Sequence, residues 1–85
     1  MSEHKTITAE ELMEIIHRTE WMEDTSFEKK PRSGGGFVVE EHIWSMNSDH
    51  VRTAVEVDER GRILAAGGYD AVEELKTKGV IVKES

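Results

Sequence analysis

The hydrophobic period of this chain changes once, and that change confines it to a helix followed by a sheet. From Ala9 the apolar residues recur at helical spacing, whereas from Phe37 they alternate every second residue. Between the two, residues 23–36 carry no period and collect the only proline and the run Gly34-Gly35-Gly36. Eighty-five residues leave room for one core. Helix and sheet must therefore bury their apolar faces on each other within a single domain, residues 1–85.

The helix has a clear start. Thr8 and Glu11 have the spacing of a capping box, and Ile7 before the cap can close on Leu12 as a hydrophobic staple. Ala9, Leu12, Ile15, Ile16, Thr19 and Met22 fall on one face at 3.6-residue spacing. Residues 1–6 are polar and read as a frayed N-terminus, and residues 25–36 read as a flexible loop.

Phe37 to Met46 reads as a strand, and the pair Glu40-Glu41 interrupts its alternation in the way a bulge does. Asn47-Ser48-Asp49-His50 has turn chemistry. Val51, Thr53, Val55 and Val57 form one face of a second strand, Asp58-Glu59-Arg60-Gly61 reads as a hairpin loop, and Arg62 to Ala66 as a third strand. Asp70 with Glu73 predicts the capped start of a short second helix and Gly79 its left-handed stop, leaving Val80-Ile81-Val82 as a last strand or a packed tail. The predicted class is α+β, ordered α-β-β-β-α(-β), with a three- to four-stranded antiparallel sheet packed against the first helix. Leu12, Ile15, Ile16, Val55, Val57, Ile63 and Leu75 are its expected core. Double-stranded-RNA-binding domains share this order, but Asp70, Glu73 and Glu74 stand where those domains need lysines for phosphate, so the resemblance stops at topology.

Composition removes several function classes. Without cysteine there is no disulfide framework, thiolate nucleophile or Cys-containing zinc site. No segment approaches the ~20 apolar residues that span a bilayer, so no membrane association is expected and the cytoplasm is the default compartment. The net charge is −7, and residues 1–28 hold eight acidic residues against Lys5 and Arg18. An acidic chain lacks the field that binds nucleic-acid backbone, and a basic protein surface is the better complement.

Few residues suggest chemistry. His4, His17, His42 and His50 have no zinc-motif spacing, and no metal or cofactor is expected. Glu40 and His42 share a strand face and could act as an acid/base pair. Gly67-Gly68 precedes a helix but lacks a phosphate-loop spacing and reads as a tight turn. Lys29, Lys30 and Arg32 form a basic cluster beside the glycines, a candidate anion-binding arm. Trp21 projects nearly opposite Leu12, beside Glu14, Glu20, Glu23 and Asp24; it is displayed if the helix runs through residue 22 and turned inward if the helix breaks at Glu20. Trp44 shares its strand face with Val38, His42 and Met46, either as core or as a second, exposed apolar face.

These features favour a non-enzymatic protein-binding module: a regulator, accessory subunit or inhibitor, of phage type in one version. It would act as a monomer or homodimer and engage a larger protein with a basic surface through Glu14, Glu20, Trp21, Glu23, Asp24 and Trp44. One rival is a nucleic-acid-associated protein using Lys29 to Arg32, with Arg52, Arg60 and Arg62 as a second basic group. The other is a small enzyme or ligand-binding domain with His42 and Glu40 as acid and base.

Overall fold

In the computed structural model, residues 5–19 and 25–84 are described. The elements run β1 (Thr6–Thr8), α1 (Ala9–Thr19), β2 (Thr25–Pro31), β3 (Phe37–Ser45), β4 (Ser48–Val57), β5 (Ile63–Ala65), α2 (Asp70–Thr77) and β6 (Ile81–Lys83). They form an α+β domain with a four-stranded antiparallel sheet, ordered β2-β3-β4-β5, and a two-stranded parallel sheet of β1 and β6.

The capping box is present. The Glu11 amide donates to Thr8 Oγ1 at 3.1 Å, and the Thr8 amide donates to Glu11 Oε1 at 3.0 Å. Ala9, Leu12 and Ile16 then point into a core completed by Phe37, Val39, Val55, Val57, Ile63, Tyr69, Val72 and Val82. Five of the seven expected core residues are buried; Ile15 and Leu75 only pack against the edge.

Residues 25–31, expected to lie in a loop, form a strand. β2 pairs with β3 over its whole length, from Thr25 opposite Ile43 to Pro31 opposite Phe37. Its polar alternation hid it: Phe27 is its one large apolar residue. Pro31 is tolerated because β2 is an edge strand, where a missing N–H breaks no ladder. The glycines turn this hairpin, and Gly34, Gly35 and Gly36 all have positive φ.

Three further expectations are corrected. Thr6 belongs to β1, because β6 supplies a parallel partner and the Ile81 amide donates to the Lys5 carbonyl. The β3–β4 turn is the residue pair Met46-Asn47 rather than residues 47–50; both have positive φ, as a type I′ turn requires, and Ser48 already belongs to β4. Tyr69, not Asp70, occupies the N-cap of α2 and makes no side-chain cap bond, because its ring is buried in the core. Gly79 does end α2 in the left-handed conformation, with the Val80 amide bonded to the Leu75 carbonyl and the Gly79 amide to that of Lys76, a Schellman ending.

Candidate functional site

The helices cover one face of the four-stranded sheet, and the candidate site lies on the other. Residues opposite one another in an antiparallel pair share a face, so the register puts Glu28, Lys30, Val38, Glu40, His42, Trp44, Asp49, Val51 and Glu56 together. The expected bulge is present. Glu41 faces Thr53 and His42 faces Val51, which leaves Arg52 unopposed and moves β4 over by one residue. That shift places Asp49 and Val51 on the His42 face. Without it the alternation of β4 would have put Val51 on the core side with Val55.

His42 is buried at the centre of this face. Its Nδ1 lies 2.9 Å from Asp49 Oδ2, and its Nε2 lies 3.1 Å from Glu40 Oε1 and 3.3 Å from Glu28 Oε2. Both ring nitrogens thus face carboxylates, and only the doubly protonated ring donates to both sides. The bond to Asp49, helped by that to Glu40 and opposed by burial, raises the His42 pKa above its ordinary value. Lys30 Nζ sits 3.1 Å from the same Glu40 oxygen, and this bond holds the Glu40 carboxyl below the usual carboxylate range. The group ties β2, β3 and β4 together on the helix-free side. Neither nitrogen of His42 is free to take a proton from a substrate in this arrangement.

Glu28, Glu40 and His42 bring three donor atoms within 4.8 Å of one another, which spacing along the chain did not reveal. Ligand atoms on a shell of radius ~2.1 Å lie at most about 4.2 Å apart; the 3.1 and 3.3 Å from His42 Nε2 to the two carboxylates meet that limit, and the outer bound of 4.8 Å exceeds it. Lys30 already supplies a cation to Glu40, so an ion would have to displace both the ammonium and the imidazole proton.

A pH dependence follows. The folded state holds the His42 proton more tightly than the unfolded chain, whose histidines titrate near ~6.5. The stabilisation is therefore complete below the unfolded value and is lost as pH rises through the folded one. The lowered Glu40 pKa acts oppositely, and its contribution is lost in acid. Urea unfolding of wild type and His42→Gln should differ most between about pH 5 and 6.5, and the difference should shrink towards about pH 9. A constant difference across that range would mean that no imidazolium is held there.

Beyond His42 the face becomes apolar and open. Trp44 is 56% exposed, Val51 51% and Met46 93%. Trp44 is thus on the exposed apolar face rather than in the core. Met46 reaches the hairpin tip with φ 51°, a conformation that a bulky side chain rarely adopts and that the two-residue turn imposes.

The remaining expected site residues separate. Trp21, Glu20, Glu23 and Asp24 lie outside the described residues, and Glu14 is an exposed residue of α1. Lys29, Lys30 and Arg32 do not form a flexible arm: the first two are in β2, and the three pair with Glu84, Glu40 and Glu56. His50 contacts Ser48 across 2.8 Å. On the core side, Glu41 is fully buried and accepts hydrogen bonds from Thr53 Oγ1 and the Tyr69 hydroxyl, a polar centre that the sequence marked only as a break in the alternation. Among the described residues no helix is long and apolar enough to cross a membrane. No family model, curated protein or solved structure matches the chain.

Proposed function

We propose that this protein is a non-enzymatic binding module whose helix-free sheet face docks on a larger protein. One observation carries the reading: Trp44, Val51 and Met46 are displayed together at the far end of the β3–β4 hairpin. Exposing a tryptophan and a methionine side by side disfavours the free protein in water, and both types are enriched in protein interfaces. The strained Met46 backbone supports the same reading, since outliers of this kind tend to cluster at binding sites. Half-exposed Asp49 and Glu28 border the patch and the chain is acidic, so the partner offers an apolar pocket with a basic rim.

The test compares wild type with Trp44→Ala as bait for affinity capture from native host extract, followed by titration of the recovered partner. Trp44→Ala should weaken that complex by about 2 kcal/mol, roughly 30-fold. Its melting temperature should stay near that of wild type, because the ring is mostly solvated. Equal recovery and equal affinity for the two baits would sink the proposal, and so would a steep loss of thermal stability in the variant.

A further inference from the structure

A second surface, on the opposite end of the sheet, has the reverse charge. A cleft of about 650 Å³ is lined by Arg60, Arg62, Ile63, Lys76, Gly79, Val80 and Ile81. Three cations and no carboxylate line it, in a chain with 18 acidic residues against 11 basic ones. Several of the other cations are committed: Lys29, Lys30, Arg32 and Lys78 each sit beside a carboxylate. Arg60, Arg62 and Lys76 form no ion pair among the described residues. Asp58 turns its Oδ1 onto the backbone amides of Arg60 and Arg62, at 2.9 and 2.8 Å, and neither it nor Glu59, the acid next to Arg60, lines the cleft. The last carbonyls of α2, which would repel an anion, accept bonds from the Gly79 and Val80 amides.

The walls are held in place. The Val82 amide donates to the Gly61 carbonyl at 2.8 Å, and a Cβ on Gly61 would meet Ile81 Cγ2 at 2.7 Å and Val82 O at 2.8 Å. Only glycine lets the β4–β5 loop lie this close to β6, and that contact fixes Arg60 and Arg62 beside Ile81. Ile63, Val80 and Ile81 give the cleft an apolar floor. Its volume is in the range of small-molecule sites.

We propose that this cleft binds a small organic phosphate, with the phosphate groups on Arg60, Arg62 and Lys76 and the apolar part of the ligand over Ile63, Val80 and Ile81. Guanidinium groups match phosphate oxygens in a bidentate fork, and three positive charges suit a diphosphate better than a single carboxylate.

The test uses ADP as the probe and inorganic pyrophosphate as the probe without an apolar part. Both are titrated into the full chain while the backbone amide NMR signals are followed. ADP should shift the Gly79, Val80 and Ile81 amides with sub-millimolar affinity, roughly 1 mM or tighter, at low salt. Pyrophosphate should bind the same place more weakly, and added salt should weaken both. Arg62→Gln and Lys76→Gln should each reduce ADP affinity about 10-fold with the amide spectrum otherwise unchanged, a loss of about 1.4 kcal/mol. Arg60→Gln, on the exposed loop, is a third variant should either of these fail to fold. Absence of shifts at about 10 mM ADP, at least ten times the expected constant, would overturn the proposal. Shifts confined to other residues, or affinity unchanged in every variant, would do the same. A single-stranded RNA oligonucleotide that binds these amides more tightly than ADP would replace it with a nucleic-acid surface.

Discussion

Replacing Leu12 by alanine should lower the unfolding free energy by about 2 to 5 kcal/mol. Leu12 is completely buried and lies in the cluster that joins α1 to Val55 and Val57 of β4 and to Val72 of α2. The capping box fixes the start of the helix and hence its rotation, so the neighbours of Leu12 have little freedom to close over the space left behind. For a domain of this size the total stability is on the order of 5 to 10 kcal/mol, and the loss would be a large fraction of it. Urea unfolding of the variant should give an earlier midpoint with a similar slope. Ile15→Ala, at a half-buried position of the same helix, should cost clearly less. Equal losses at the two positions would mean that the helix is rotated from the orientation described.

A second large effect is expected at Gly36, for a backbone reason. Its φ is 85°, which costs a residue with a Cβ about 1 to 2 kcal/mol. A Cβ there would also lie 2.1 Å from the Val57 carbonyl oxygen and 2.7 Å from that of Asp58, both main-chain atoms of the neighbouring strand and its loop. Gly36→Ala must therefore push β3 away from the end of β4, and a total loss above about 3 kcal/mol is expected by thermal or urea unfolding. Gly68→Ala provides the control: its φ is also positive, but its Cβ would meet nothing within 4 Å. Its loss should be limited to the conformational cost, and losses of similar size at both positions would remove the close-approach argument.

What was legible in the sequence is what local chemistry determines. Thr8 and Glu11 cap each other within one turn, and Gly61 and Gly79 stand where the backbone needs a positive φ. The three-strand meander from Phe37 to Ala65 has valines in period two. β2 escaped because it satisfies its pairing with polar residues on both faces, and β1 with β6 escaped because three-residue strands acquire meaning only from each other. At the candidate site the shared face of Glu40 and His42 was readable from period two alone. The roles of Glu28, Lys30 and Asp49 were not, since they depend on the register of β2, on the unopposed Arg52 and on the Met46-Asn47 turn. Trp44 left two readings open because the alternation states that it lies opposite the core-facing positions without stating whether anything covers that side.

The parallel pairing of β1 and β6 also determines how the domain responds to tension. The two strands run in the same direction, Thr6 beside Ile81 and Thr8 beside Lys83. A pull applied ahead of Thr6 and beyond Lys83 would drag them past each other lengthwise and load their hydrogen bonds together, in shear. Peeling them apart one bond at a time would require a pull across the strands. Everything between Thr8 and Ile81, including the hairpin that displays Trp44, is enclosed by this clasp. Traction through the flanking chain should therefore meet its first resistance at β1 and β6, and the sheet face that carries Trp44 should keep its shape until they part.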